Sequence, residues 1–241
     1  MAEKTKGIVI EVRKHNDKNN IVTLFTPEYG RVAFLSSVSS TRGGKMRAAR
    51  LQLLSVVETE FTFKPAKELH RLGNVQLLEV WDDLYFHPMK RLITIFIAEF
   101  LSRLLRASMP DEMLWNYIYA SLVIFNESSD IFNDFPIAFL CGLLSLAGIR
   151  PDTSTYSDGF YFDMREGKFT IDAPLHKDFL KEEEARFAAM TSRINYTNIK
   201  RLKLKSVDRR RILNGLLQYY SLHYPGIANM KSTEAIRELF T

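Results

Sequence analysis

The chain has 241 residues, of which 46% are hydrophobic and 25% charged, a composition typical of a folded globular protein. The formal net charge of +5 suits a polyanionic partner but is shared by many proteins. One cysteine, Cys141, allows neither an internal disulfide nor a cysteine-based zinc site, and its apolar neighbours predict a buried, inert thiol. No signal-peptide core and no membrane-length apolar stretch is present, which predicts a cytoplasmic protein.

The first eighty residues show the pattern of short β-strands. Five segments are rich in β-branched or alternating apolar residues, namely 7–13, 20–26, 31–36, 51–63 and 69–80, the last broken at Gly73-Asn74. Residues 15–19 indicate a polar turn, and Pro27-Glu28-Tyr29-Gly30 a tight one. Five short strands with little helix between them predict a small closed barrel, a five-stranded OB-fold domain over residues 1–80.

From residue 81 the spacing becomes helical, which predicts a second, mainly α-helical domain over residues 81–241. Apolar residues recur at i, i+3 and i+4 along five further segments, near 93–105, 111–125, 136–147, 177–190 and 206–223, with a short last helix at 232–240. Residues 150–175 interrupt these helices with a predicted β-hairpin that turns at Gly167. The predicted fold class is therefore α+β with two domains.

Catalytic and metal chemistry find little support in the sequence. No two histidines stand at i, i+3 or i+4, and the side chains of the adjacent Asp82 and Asp83 would diverge on any regular element. The run Glu182-Glu183-Glu184 is typical of a solvated helix face, and Gly43-Gly44-Lys45 lacks the other residues of a phosphate-binding P-loop. A nuclease would need clustered carboxylates. We therefore expect no catalytic residues, no metal and no cofactor.

A first basic cluster forms a predicted loop between the third and fourth strands, at residues 38–50, where an OB-fold usually carries a helix or a long loop, and this loop contains no acid. Its four basic residues, together with one on the preceding strand, are candidate DNA-binding residues: Arg31, Arg42, Lys45, Arg47 and Arg50. The two glycines would let the backbone approach a phosphate closely. The alternative is a solvated, mobile loop. Tyr29, in its turn, is the best candidate for base stacking.

A second basic cluster runs from residue 200 to 211. Seven basic residues against a lone Asp208 give a local charge of +6, more than that of the whole chain. Such focused charge attracts phosphates and accelerates encounter with them. Leu202 and Leu204 alternate with the charges, so the segment should pack while its basic side chains point outward. The alternative is that these side chains pair with Glu182-Glu183-Glu184. The candidate DNA-binding residues are Lys200, Arg201, Lys203, Lys205, Arg209 and Arg210, with Arg211 completing the cluster.

The order of these features resembles the RecO family of bacterial recombination mediators. Lys6-Gly7-Ile8-Val9-Ile10 and residues 21–32, which contain a Thr-Pro-x-x-Gly arrangement, resemble the start of the family sequence. Residues 143–151 resemble the family's Leu-Gly-Tyr-x-Pro helix end, and residues 219–239 resemble its C-terminal stretch.

The resemblance implies an OB-fold followed by a helical domain in a nucleoid-associated protein without catalytic residues. It implies binding of single- and double-stranded DNA, annealing of complementary strands, and loading of recombinase with RecR in the RecF pathway. It also implies binding of the acidic, hydrophobic C-terminal tail of single-stranded-DNA-binding protein. An alternative therefore stays open, in which the chain is a protein-interaction adaptor whose basic patch, beside an apolar groove, binds that tail with little direct role in DNA binding.

The chain departs from the resemblance at the hairpin. Many family members carry four zinc-binding cysteines around it, and residues 150–175 of this chain contain none. The sequence therefore predicts a zinc-free remnant of a zinc-finger region, held by the packing of Phe160, Phe162, Phe169 and Ile171.

Overall fold

The computed structural model describes residues 3–106, 109–129 and 133–240. The fold is α+β, as predicted, and the chain divides into two compact units, Met1–Glu127 and Ser128–Thr241. The first unit contains a curled, mixed β-sheet and helices, and the second is mainly helical with a small antiparallel sheet.

Six strands form the sheet of the first unit. They are β1 (Glu3–Asn16), β2 (Asn19–Thr26), β3 (Gly30–Ser37), β4 (Val56–Phe61), β5 (Leu69–Arg71) and β6 (Val75–Leu77), in the order β5-β3-β2-β1-β4-β6. The long β1 pairs with β2 over its C-terminal part and with β4 over its N-terminal part, whereas β3 and β5 run parallel. Alternating apolar residues from these strands bury a core that includes Val22, Leu24 and Phe34.

The fourth and fifth strands differ from their predicted bounds. The fourth begins at Val56 rather than at residue 51, because residues 51–54 form a turn in which Leu54 adopts a φ of 63° and donates its N–H to the carbonyl of Val9 at 2.7 Å. The fifth is split into β5 and β6 at the predicted break. A Cβ on Gly73 would stand 2.0 Å from the carbonyl oxygen of Glu60, so this close approach requires glycine.

Four helices complete the described part of the first unit. They are α1 (Arg42–Arg50), α2 (Asp82–Phe86), α3 (Pro88–Leu104) and α4 (Glu112–Glu127). The Lys90 side chain, 1% exposed, bonds to Asp83 and to the carbonyl oxygen of Asn126, both at 2.9 Å, and so links α2, α3 and α4. No helix in the described residues is long and apolar enough to cross a membrane. The strand-rich segment ends at Leu77, close to the predicted change at residue 80, and α2–α4 pack within the same unit.

The second unit is built around α5 and α7. Its α-helices and strands are α5 (Phe135–Leu146), β7 (Tyr161–Asp163), β8 (Lys168–Thr170), β9 (Phe179–Leu180), α6 (Glu182–Met190), α7 (Ser206–His223) and α8 (Thr233–Glu238), and short 3-10 helices lie at Thr191–Arg193, Ile199–Leu202 and Pro225–Asn229. The Tyr220 hydroxyl donates to the carbonyl oxygen of Leu140 at 2.8 Å and joins α7 to α5. Cys141 is buried, as predicted, and burial raises the pKa of its thiol.

The predicted hairpin is present as β7 and β8, and Gly167 turns it with a φ of 66°. Phe162 and Phe169 are buried with ring centroids 4.9 Å apart, but Ile171 is 72% exposed, so its predicted packing role is wrong. The sequence pattern treated Ile171 as a strand residue, whereas β8 ends one residue before it.

A polar link also fastens the segment after the hairpin. Asp163 Oδ1 accepts the backbone N–H groups of Arg165 and Glu166 at 2.9 and 3.1 Å, and it lies 3.3 Å from His176 Nε2. His176 Nδ1 accepts the N–H of Asp178, so Nε2 carries the proton that is shared with Asp163. Among the described residues, no group of three or more histidine, cysteine or acidic side chains could hold a metal ion, so the donors here do not fit a structural zinc.

Candidate nucleic-acid interface

The first basic cluster forms a surface helix rather than a loop. The side chain of Thr41 accepts the backbone N–H of Gly44 at 3.2 Å and so caps the N-terminus of α1. None of the nine residues of α1 is buried. Hydrophobic packing therefore contributes little to holding α1 in place, and polar contacts must supply much of its attachment.

Two of the four basic side chains of α1 make these attachments. The Arg47 guanidinium donates to the carbonyl oxygens of Leu72 and Gly73, and that of Arg50 donates to the carbonyl oxygen of Val75 at 2.8 Å. The side chains of Arg42 and Lys45 are exposed and make no hydrogen bond or ion pair within the described parts of the chain. The structure thus separates the cluster into two arginines that fasten α1 and two cations that face solvent.

Arg31 and Tyr29 have partners within the protein. Arg31 on β3 forms an ion pair with Glu11 on β1, across β2, at 3.1 Å. The Tyr29 hydroxyl donates to Glu3, and this hydrogen bond to a carboxylate, with Glu28 nearby, raises the pKa of Tyr29 to about 12. Its ring packs against Phe61 and Phe63, with centroids 5.3 and 4.7 Å away. Both side chains are therefore less available to a nucleic acid than their sequence positions suggested.

The β1–β2 turn, a basic segment outside the predicted cluster, contacts the residues that lead into α1. Val38, four residues before the helix, donates its N–H to the carbonyl oxygen of Lys18 in the β1–β2 turn, at 2.8 Å. The sequence pattern predicted only a polar turn here and assigned its basic residues no role in binding. A local signal was available, because residues 13–18 hold Arg13, Lys14, His15 and Lys18 against one acid, Asp17.

The second basic cluster begins in a 3-10 helix, Ile199–Leu202, and continues into the first turns of α7. Leu202 and Leu204 are half-buried, whereas Lys203 and Lys205, which alternate with them, are exposed. This confirms the predicted alternation. The backbone N–H of Lys205 donates to Asp208 at 3.1 Å and so helps to begin α7. The exposed cations of this segment are Lys200, Arg201, Lys203 and Lys205.

The three arginines of this cluster on α7 are engaged in different ways. Arg209 pairs with the nearly buried Asp134 at 2.6 Å, and Arg211 pairs with Glu183 at 3.0 Å and Glu184 at 3.6 Å. Arg210 is half-buried, and its Nε has no hydrogen-bond partner. The alternative of pairing with the glutamate run thus holds for Arg211, whereas the Glu182 side chain lies outside the described part of the structure.

An apolar cavity of about 180 Å³ lies beside this cluster, within the second unit. Its walls come from α6, α7 and the small sheet, and include Phe162, Leu180, Phe187 and Leu216. Arg211 and the glutamates that it pairs with also line it. The apolar cavity is thus lined by one basic residue, Arg211, together with three acidic residues, Glu183, Glu184 and Asp208.

The carboxylates singled out in the sequence do not form a metal site in the described structure. Asp83 pairs with Lys90, and this hydrogen bond to an ammonium group lowers the pKa of the Asp83 carboxyl. Asp82 is the first residue of the same short helix and joins no acidic group suited to a metal among the described residues.

Two protein-family models match the chain. A model of the recombination protein O N-terminal region matches residues 1–81, and a model of its C-terminal region matches residues 90–234. The chain belongs to the RecO family. The two models together span almost the whole chain, so α1 lies in the RecO N-terminal region and the second basic cluster in the C-terminal region.

Curated RecO relatives align over their full length. The chain is 34% identical to a protein named DNA repair protein RecO from Phocaeicola vulgatus and 31% identical to one of the same name from Bacteroides fragilis, with all of both chains covered in each case. A further RecO from Flavobacterium psychrophilum is 28% identical, again over the whole of both chains.

Proposed function

We propose that this RecO-family chain is a DNA repair and recombination mediator that binds single- and double-stranded DNA through the phosphate backbone. The observation that carries the proposal is the set of exposed cations on α1 and at residues 200–205, in a chain of this family. The exposed charged side chains at both sites are lysines and arginines, which bind phosphates in any sequence, so contacts to phosphates and not to base edges are expected. Tyr29 supports stacking only weakly, because its ring packs against Phe61 and Phe63.

A barrel would position α1 for this role. We propose that the first sheet is a five-stranded OB-type barrel over residues 1–80, in which β5 and β6 are two halves of one strand, followed by a helical domain from residue 81. The proposal is supported by the pairing of β5 with β3 and of β6 with β4, with only three residues between β5 and β6. A helix between β3 and β4 also suits an OB-fold.

Backbone binding suits strand annealing, since it leaves the bases of both strands able to pair. We propose that the chain anneals complementary strands and, with RecR, helps to load recombinase in the RecF pathway, near the nucleoid. Each of these steps requires binding and alignment without breaking a bond, so the proposal calls on no catalytic residue.

An annealing assay with complementary oligonucleotides tests the proposal. The wild-type chain should accelerate annealing. Its DNA affinity should also fall steeply as salt rises, because each neutralised phosphate adds about 0.7 to the slope of log affinity against log salt concentration on single strands. Arg42→Ala/Lys45→Ala should reduce both. The matched control is Lys64→Ala/Lys67→Ala, which removes the same charge from the exposed connection between β4 and β5. An affinity that hardly changes with salt would contradict the proposal.

The apolar cavity supports a second candidate function, that of an adaptor for the acidic tail of single-stranded-DNA-binding protein. An acidic peptide ending in hydrophobic residues could insert its apolar end between Leu180 and Phe187, while Arg211 exchanges its glutamate partners for the peptide carboxylate. Phe187→Ala should then weaken binding of such a peptide and leave DNA affinity unchanged, whereas Arg42→Ala/Lys45→Ala should do the reverse.

A further inference from the structure

The exposed positive charge of the first unit extends beyond α1. We propose that the tip of the β1–β2 hairpin, Arg13 to Lys18, is a second phosphate-binding arm, and that it holds one stretch of nucleic-acid backbone together with α1 across this end of the sheet. The inference rests on the proposed DNA-binding function and names a site within it that the basic pattern of residues 38–50 does not reveal.

Strand register places the basic residues at one end of the sheet. Arg13 pairs with Ile21, Ile21 pairs with Leu35, and Leu35 pairs with Arg71, across β1, β2, β3 and β5. Directly paired residues share a face of the sheet, so Arg13 and Arg71 lie on the same face. Arg71 is the last residue of β5. Arg13 lies three residues before Asn16, which is the last residue of β1.

Contacts join α1 to this end of the sheet on two sides. At its N-terminal side, the hydrogen bond from Val38 to Lys18 holds the approach to α1 against the hairpin turn. At its C-terminal side, Arg47 donates to the carbonyl oxygen of Leu72, the residue that follows Arg71. The hairpin tip thus contacts the approach to α1, and the residue after β5 contacts α1 itself. We take the tip, α1 and the end of β5 together as one surface.

This surface carries a strong excess of positive charge. Six of its basic side chains are exposed, namely Arg13, Lys14, Lys18, Arg42, Lys45 and Arg71. The acid within the tip is Asp17, which pairs with Lys14 at 2.6 Å, and Glu11, two residues before Arg13, pairs with Arg31. Cations gathered with few acids raise the local concentration of phosphates and their rate of encounter.

The geometry suits contact with the phosphate backbone of a nucleic acid rather than with base edges. The turn contains only Asp17 and Lys18 between paired strands, so the tip is a short, ordered ribbon whose charges are held in place. Lysine and arginine side chains on such a ribbon reach phosphates in any sequence. Binding at the tip should therefore be independent of sequence and strongly dependent on salt.

Equilibrium binding of the full chain to a labelled oligothymidylate at several NaCl concentrations tests the inference. The tip variant is Arg13→Ala/Lys18→Ala, since neither side chain has a partner in the described structure, and Lys64→Ala/Lys67→Ala is the control of equal charge at the opposite end of the sheet. The slope of log affinity against log salt concentration should decrease in magnitude by about 1.4 in the tip variant, because each lost phosphate contact removes about 0.7. The slope should stay unchanged in the control. Arg13→Lys should retain the slope, and thermal unfolding should be the same for all variants.

The outcomes separate this inference from the proposed function. If Arg42→Ala/Lys45→Ala lowers the slope but the tip variant does not, the proposed function stands and the second arm is wrong. Equal losses in the tip variant and in the control would indicate a general effect of net charge and would also overturn it. Loss of polyglutamate binding with unchanged DNA binding would assign the tip to an acidic protein partner instead. Failure of the wild-type chain to bind DNA would overturn both.

Discussion

Arginines that look equivalent in the sequence differ in what their guanidinium groups contact. Arg47 and Arg50 satisfy backbone carbonyls at the β5–β6 break, whereas Arg42, one or two turns away on the same helix, faces solvent. Arg209 forms an ion pair with the Asp134 carboxylate. A guanidinium that already donates to a fixed acceptor must lose that bond before it can bind a phosphate, which makes Arg42 and Lys45 the better candidate contacts.

Glycines in the first unit likewise differ by their surroundings. Gly73→Ala should lower the free energy of unfolding by about 1–3 kcal/mol, because the new methyl group would force the β5–β6 connection away from Glu60. Gly43→Ala is the matched control, with no atom within 4 Å of the new Cβ, and should change stability by less than about 1 kcal/mol. Urea unfolding of the two variants measures the difference. Equal stabilities would mean that the close approach at Gly73 is not present in solution.

At the scale of elements, the hairpin in the second unit is held by aromatic packing and by a polar link. Phe162 and Phe169 supply apolar packing, as the sequence predicts, but the link between Asp163 and His176 joins residues thirteen positions apart and has no periodic signal. The prediction therefore identified the aromatic contribution and missed the polar one.

Treatment with a chelator should not destabilise the hairpin, whereas removal of the Asp163 carboxylate should. A chelator should leave the unfolding temperature of the chain unchanged. Asp163→Ala should cost about 1–3 kcal/mol, since the donors on Arg165, Glu166 and His176 lose their common acceptor. Asp163→Asn keeps an acceptor oxygen and should cost less. Calorimetry distinguishes the cases, and a chelator-dependent fall in the unfolding temperature would show that a metal stabilises the chain.

For the whole molecule, the two basic regions belong to separate compact units. The cations of α1 lie in the unit Met1–Glu127, and those of residues 200–205 lie in Ser128–Thr241. Each unit has its own buried core, so substitutions in one should leave the charges of the other in place.

Losses of DNA-binding free energy should therefore add between the units. The variants Arg42→Ala/Lys45→Ala and Arg201→Ala/Lys205→Ala, and their combination, form a double-mutant cycle on a duplex. We expect the coupling energy to stay within about 0.5 kcal/mol, as for independent sites. The single-unit variants serve as controls for each other, and a coupling above about 1 kcal/mol would show that the two regions act as one site.

The sequence by itself determined the α+β class, most helices, the hairpin and the two basic clusters, because periodicity, turn residues and local charge depend on neighbours along the chain. The tertiary structure alone decided which of the cations are engaged. It paired Arg209 with Asp134, turned a predicted loop into a helix fastened by Arg47 and Arg50, and brought the hairpin tip at Lys18 against the approach to that helix. These contacts join residues distant in sequence through strand register and single hydrogen bonds, which leave no repeating pattern in the chain.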